Sequence, residues 1–195
     1  VNMIAFFGQE GNLEKAEEKQ TKLNELYQTH KSPEIAFELA MGLVNMIAYF
    51  GAKGELEKAE EQEKALKAVY DGHQTPKITL EFAKGLKNLI NVFYEGKNFE
   101  KVEEKVMKLR QLYQIHKSFE IGLWFARGLV NLIAGFVEIG DVTKAEVKVQ
   151  ELREVYVEQN KPPEIGAVLA KGLYNLIVIC KLRNNMDKCL IYCDE

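Results

Sequence analysis

The chain repeats itself with a period of 43 residues. Val1-Asn2-Met3-Ile4-Ala5 returns as Val44-Asn45-Met46-Ile47-Ala48, then as Lys87-Asn88-Leu89-Ile90, Val130-Asn131-Leu132-Ile133 and Tyr174-Asn175-Leu176-Ile177. The last interval is 44, with one extra residue near Asn160-Lys161-Pro162. A fixed period in this range is the mark of a solenoid, in which each unit buries its apolar face only against its neighbours. The repeats run over about 1–43, 44–86, 87–129 and 130–173, with a partial fifth over 174–195, all in one repeat domain. Stacked units present a long surface for gripping a partner, so the pattern indicates a binding scaffold.

With 47% apolar residues in a chain of 195, the repeat makes the core continuous rather than globular. Charge is abundant but nearly balanced, 26 basic against 29 acidic residues and a net −3. This argues against a nucleic-acid partner, which calls for a basic excess on one face. No apolar run approaches the roughly 20 residues that span a bilayer, so no membrane segment is expected. The chain carries no signal peptide, and it opens at Val1 in the middle of a repeat, so an earlier segment is expected to be missing. The three cysteines, Cys180, Cys189 and Cys193, fall in the last repeat, and their odd number speaks against a disulfide framework. Cys180 stands where Phe50, Phe93 and Phe136 stand, and Cys189 where Ala16, Ala59 and Ala145 stand, so both read as small core residues. A cytoplasmic location is the expectation.

Each repeat reads as two helices. Ser32 is a good N-cap, Pro33 suits the first helical position, and Glu34 suits the positive end of the helix dipole. Leu39, Leu43, Met46, Ile47 and Phe50 then recur at three-and-four spacing until Gly54 supplies a left-handed stop; this is helix A. Glu55 opens helix B, whose apolar stripe is Leu56, Ala59, Leu66, Val69 and Tyr70. The equivalents of Glu55, namely Asn12, Asn98, Asp141 and Asn185, are stronger caps. The remaining face of helix B, from Glu57-Lys58 through Glu63-Lys64, is expected to be a solvated surface of mixed charge. The chain begins inside a helix A and ends inside a helix B, which gives about nine to ten antiparallel helices. The last helix B, 186–195, carries Leu190 and Ile191 where the others are mostly polar, as suits a cap or a docking surface.

Small residues recur where a helix favours larger ones. Ala40, Ala83, Ala126 and Ala170 precede by two Gly42, Gly85, Gly128 and Gly172. Glycine inside a helix costs about 1 kcal/mol relative to alanine, so four copies at one phase imply a neighbouring helix passing close by. The third repeat departs from the pattern: Phe119 replaces the proline, and Gly96 comes one residue early, leaving Lys97 at the usual glycine position. A locally altered turn is expected there.

Phe50, with Gly54 four residues later, Ala59 five further on and Pro76 opening the next pair, resembles the tetratricopeptide repeat, in the long form of about 42 residues found in kinesin light chains and bacterial regulators. The likeness covers the whole chain, although the early large aromatic and the leucine-glycine pair of the standard motif are missing. The resemblance implies an all-α, right-handed superhelical solenoid whose concave wall is lined by helices A, with extended peptides or partner helices lying in that groove.

The asparagine row is the most informative polar feature. Asn2, Asn45, Asn88, Asn131 and Asn175 occupy one phase in mid-helix, where asparagine is an indifferent helix former and its recurrence requires a task. One turn earlier on the same face stand Met41, Lys84, Arg127 and Lys171. The asparagines can hold a peptide backbone while the cations favour acidic side chains or a terminal carboxylate. The pair resembles the lysine and asparagine clamp by which some tetratricopeptide domains hold chaperone tails. The alternative is a buried ladder of asparagines bridging adjacent helices, and for the cations an ordinary solvated face. One further turn back, Glu38, Glu81, Trp124 and Val168 vary amid regular neighbours, as suits selectivity; Trp124, the sole tryptophan, is either an aromatic anchor or a core residue. Asn91 replaces the alanine of Ala5, Ala48 and Ala134 on the same presumed inner face.

His30, His73 and His116 are repeat equivalents near the ends of helices B. Stacked helices lie about 8–10 Å apart, too far for all three to reach one zinc at about 2 Å, so they read as caps favoured by the helix dipole. No metal or cofactor is expected. The sequence has no glycine-rich phosphate loop, no nucleophile with a base and no carboxylate pair outside the repeated charged face, which argues against catalysis. The sequence therefore predicts a non-enzymatic scaffold binding a protein or peptide through Asn45, Lys84, Asn88, Asn91, Trp124, Arg127, Asn131, Lys171 and Asn175. Its rivals are a spacer or self-assembly module joined through the repeat ends and the sensor or regulatory part of a larger signalling protein.

Overall fold

The computed structural model describes residues 2–182 and residue 192. Among these the chain is all helical: α1 (Asn2–Gln9), α2 (Leu13–His30), α3 (Pro33–Lys53), α4 (Leu56–Gly72), α5 (Pro76–Glu95), α6 (Phe99–His116), α7 (Phe119–Glu138), α8 (Val142–Glu158) and α9 (Pro163–Leu182). Helices A are thus α1, α3, α5, α7 and α9, and helices B are α2, α4, α6 and α8. Asn185, Cys189, Leu190, Ile191 and Cys193, and with them the expected helix over 186–195, lie outside the described residues apart from Tyr192, as does Val1.

The chain divides into two compact units, Val1–Val92 and Phe93–Glu195. In the first, α3 packs against α1, α2 and α4. In the second, α7 packs against α6, α8 and α9, and α9 also lies on α8. Helices α3 and α9 thus each meet both helices of the preceding pair, as Gly85 of α5 does at its own position, the arrangement that recurrent small residues were expected to serve. A Cβ on Gly85 would stand 2.6 Å from Leu66 Cδ2 of α4 and 3.2 Å from Ile47 Cδ1 of α3. On Gly172 it would stand 3.1 Å from Leu152 Cδ2 of α8 and 3.2 Å from Ile133 Cδ1 of α7. On Gly42 it would collide with the carboxamide oxygen of Gln20 and stand 3.1 Å from Ile4 Cδ1. Ala40, Ala83 and Ala126 are fully buried, whereas Ala170 on α9 is exposed.

The apolar stripes predicted from spacing form the core. Leu39, Leu43, Met46, Ile47 and Phe50 of α3 are buried, as are Ala59, Leu66, Val69 and Tyr70 of α4, with Leu56 half-buried at the start of α4. Cys180 is buried at 2% exposure in the phase of the repeated phenylalanines. Glu63 corrects the sequence reading: placed on the solvated face of helix B, it is 4% exposed. Its equivalents Gln20, Val106 and Val149 are buried too, so its phase faces inward whatever residue fills it.

The turn between Gly96 and Asn98 corrects a second expectation. Gly11, Gly54 and Gly140 take left-handed φ values of 75°, 76° and 78°, and Lys97 takes the same place at 56°. The backbone N–H of the residue after each left-handed position then bonds the carbonyl of the repeated phenylalanine: Asn12 to Phe7 at 2.8 Å, Glu55 to Phe50 at 2.9 Å, Asn98 to Phe93 at 2.9 Å and Asp141 to Phe136 at 2.7 Å. The turn is unaltered, because the hydrogen bonds that close it outweigh the cost of a non-glycine residue in the left-handed region. The extra residue of the last interval is absorbed by two consecutive left-handed residues, Asn160 at 60° and Lys161 at 57°, with the Lys161 N–H bonded to Tyr156 O at 2.8 Å.

Helix starts follow the caps. Asn12, Asn98 and Asp141 accept from the backbone N–H of Lys15, Lys101 and Lys144 at 3.2, 3.2 and 3.0 Å, and Ser32 and Ser118 from Ile35 and Ile121 at 3.3 Å. Glu55 makes no such bond. Phe119, in place of the proline, starts α7 without disturbing the Ser118 cap. His30 and His116 end α2 and α6, and His73 follows α4, with its ring 5.8 Å from that of Tyr27. Three helical stretches, Pro33–Lys53, Phe119–Glu138 and Pro163–Lys181, are long and apolar enough to cross a membrane by length and composition. The expectation that no segment approaches this length counted uninterrupted runs, and mean hydropathy tolerates their isolated polar residues such as Asn45, Arg127 and Lys171.

Candidate functional site

The predicted stripe falls on helices A of both units. In the first unit, Asn45 on α3 and Asn88 on α5 are half-buried, while Lys84 and Asn91 on α5 are exposed. The Lys84 ammonium stands 3.7 Å from Glu81, one turn earlier; the carboxylate oxygen facing it is buried and accepts no hydrogen bond. Glu38 is exposed at the phase of Glu81.

In the second unit, α7 brings Trp124, Arg127 and Asn131 to one face, and α9, packed on α7, contributes Lys171 and Asn175. Trp124, Asn131 and Asn175 are half-buried, as is Val168. Arg127 and Lys171 are exposed, and neither forms an ion pair among the described residues. Cations on helix B of the same unit are engaged differently. Arg110 of α6 bonds Glu151 of α8 at 3.0 Å, and Lys117, just past α6, bonds Glu158 at 2.9 Å. The Asn175 Nδ2 is buried and has no hydrogen-bond partner, so at this position the amide nitrogen forms no rung to a neighbouring helix.

Sequence reasoning passed over several buried polar groups. Lys105 on α6 is 2% exposed; its ammonium bonds Glu104 at 2.9 Å and lies 5.9 Å from the centre of the Phe93 ring. The hydrogen bond from Lys105, aided by Lys108, lowers the Glu104 carboxyl to about 2. Gln20 on α2 is 7% exposed, and neither its carboxamide nitrogen nor its oxygen has a hydrogen-bond partner. Lining up the repeats contains the signal: Gln20 and Glu63 share a phase with Val106 and Val149, so an apolar position carries a polar side chain in two repeats only.

The arrangement on α7 and α9 can donate charge-assisted hydrogen bonds from exposed cations and offer neutral amides beside them. Among the described residues no group of three or more histidine, cysteine, aspartate or glutamate side chains is placed to hold a metal ion. Compared with protein-family models, curated proteins and solved structures, the chain matches none.

Proposed function

We propose that the chain is a non-enzymatic scaffold of tetratricopeptide-like helix pairs that binds a protein or peptide along the exposed face of its helices A. The observation that carries this reading is the pair of exposed cations, Arg127 and Lys171, held at one phase of adjacent helices without a carboxylate partner among the described residues and each one turn from an asparagine. A cation that serves only solubility needs no fixed phase, whereas a row of donors one helix apart suits an extended acidic segment or a free C-terminal carboxylate. Lys84 and Asn88 repeat the motif on α5. The ligand is a protein rather than a nucleic acid, since the chain's net charge is −3.

The test is fluorescence anisotropy with acidic peptides bearing a free carboxylate, set beside amide-capped and neutral versions. Binding that weakens at least tenfold on changing Arg127 and Lys171 to alanine, and falls with added salt, supports the proposal. A folded protein that ignores all these peptides refutes it. Asn131→Ala separates the two roles of the asparagine row: loss of affinity in a folded variant marks a ligand contact, and loss of folding marks a structural one.

A further inference from the structure

Equivalent positions on helices B differ between the two units. In the second unit the gap between α6 and α8 is clasped shut. Arg110 bonds Glu151 at 3.0 Å, and Glu158 accepts from both Tyr113 and Lys117 at 2.9 Å. The Lys117 and Tyr113 bonds hold the Glu158 carboxyl below its usual range. The cavity left there is about 80 Å³. In the first unit the same positions, 86 residues earlier, hold Asn24 for Arg110, Ala65 for Glu151 and Gly72 for Glu158. The two carboxylates that hold Arg110, Tyr113 and Lys117 are gone, so among the described residues Tyr27 and Lys31, the equivalents of Tyr113 and Lys117, have no carboxylate on α4; Tyr27 packs on the His73 ring instead, and the cross-gap ion pair that stays is Glu17 of α2 with Lys58 of α4 at 3.7 Å. The gap between α2 and α4 is an open groove of about 800 Å³, within the range of ligand sites.

The lining of this groove is distinctive. Thr21, Asn24 and Gln28 of α2 face Gln62, Ala65 and Ala68 of α4, over a floor of Leu39, Leu43 and Met46 from α3. Glu17, Lys31 and His73 are its only ionisable lining side chains apart from Tyr27. Gln20 contributes to the lining where the second unit has Val106, and its carboxamide, packed over Gly42, finds no partner in the protein. An unsatisfied buried amide is costly, so the fold gains when a ligand supplies the missing bonds.

We propose that the groove between α2 and α4 is a second peptide site, which takes an extended, uncharged segment with the Gln20 carboxamide turned onto its backbone. A primary carboxamide carries an acceptor beside a donor. A residue in an extended strand presents its own N–H and C=O to the same side, as in an antiparallel ladder, so one residue satisfies both groups of Gln20. Asn24, Gln28 and Gln62 add neutral donors and acceptors, and the apolar floor receives alternate side chains. A charged side chain seated centrally on Leu39 and Leu43 would be desolvated without a counter-charge, which selects a neutral sequence. The site is separate from the cations on helices A.

The test uses the full chain and two pools of acetylated, amidated octapeptides, one drawn from alanine, leucine, serine, threonine, asparagine and glutamine, the other from the same set with aspartate and lysine added at every second position. Two-dimensional NMR is the readout. The expected result is that the neutral pool shifts the Gln20 side-chain amide together with the Ala65 and Ala68 backbone amides, and that the charged pool shifts them at least tenfold less at equal concentration. Rebuilding the second unit's clasp with Asn24→Arg and Ala65→Glu closes the groove and abolishes the shifts, while Arg127→Ala with Lys171→Ala leaves them intact. Gln20→Val, which copies the residue of the third and fourth repeats, weakens binding tenfold or more and keeps the protein readable if the clasp variant does not fold. No shifts at millimolar peptide, shifts confined to other residues, equal response to both pools, undiminished binding by Gln20→Val, or occupation of the groove by a second copy at rising protein concentration overturns the proposal.

Discussion

Among the described residues, Lys97 takes the inter-helix turn position that Gly11, Gly54 and Gly140 take in the other three, and exchanging it with its neighbour should stabilise the protein. The variant Gly96→Lys with Lys97→Gly reproduces the order of Lys53-Gly54 in the preceding repeat. Its composition equals that of the parent, so the larger freedom of glycine in the unfolded chain is largely common to both and cancels. What remains is the left-handed strain on Lys97 at φ 56°, about 1–2 kcal/mol for a residue with a Cβ. Against it stands the ion pair between Lys97 and Glu138, whose side chains are 70% and 47% exposed; so solvated a pair contributes little. The net expectation is a gain of about 1 kcal/mol. Guanidinium titration followed by circular dichroism reads it as a higher midpoint at unchanged slope. The single change Lys97→Gly should gain less, because it adds unfolded-state entropy that the exchange does not. A neutral or destabilised exchange variant, with the turn hydrogen bond from Asn98 to Phe93 intact by NMR, would refute the reasoning, since no strain would then have been stored at Lys97.

Glu55→Asn supplies the cap that Asn12, Asn98 and Asp141 provide elsewhere and should raise stability by about 0.5–1 kcal/mol after losing the exposed Glu55–Lys58 pair; a denaturation midpoint that does not move would count against it. Glu104 has a carboxyl lowered to about 2, below its unfolded value of about 4.3, so its contribution is present in full above pH 4.3, falls as pH drops through the folded value near 2, and vanishes below it. With its side chain 41% exposed, solvent screening reduces the contribution to about 1 kcal/mol. Glu104→Gln should therefore be less stable at pH 7 by that amount and equal to the parent near pH 1.5, and an equal deficit at both values would remove the ion pair as the cause.

Helix positions, caps and the core were legible because each rests on a local rule repeated four times. Ser32, Ser118, Asn12, Asn98 and Asp141 cap where their side chains predict, and the recurring glycines mark close helix contacts, where a Cβ would crowd Leu66 or Leu152. The turn at Lys97 was misjudged because sequence weighs the preference of one residue, whereas the fold weighs that residue against the hydrogen bonds closing the turn. Glu63 was misplaced because its charge was read before its phase. The candidate stripe was legible as a set of phases only. That Arg127 and Lys171 have no carboxylate partner among the described residues, while Arg110 and Lys117 do, depends on which helix lies alongside, and this is a property of packing rather than of any one repeat.

The repeat gives a way to separate folding from function without any relative of this chain. Positions that keep their character in every copy, such as Phe50, Phe93 and Phe136 or the glycines after the recurring alanines, are held by the need of each helix to fit its neighbours. Positions that change character between copies are free of that need, and the physical consequence of each change can be read from the copy that lacks it. Gly72 is tolerated because Glu158 and Lys117 form an exposed pair, whose loss costs little, and Asn24 with Ala65 removes both partners of the Arg110–Glu151 pair together, leaving neither charge unpaired. Gln20 is different. A carboxamide without partners at a phase that takes valine in the third and fourth repeats is a local cost, and Gln20→Val should stabilise the free protein by removing it. A polar group that destabilises the empty fold at the wall of an open groove, where its own repeat has also lost the clasp, links cost and opening in one place. That coincidence is what distinguishes a binding surface from drift among exposed residues.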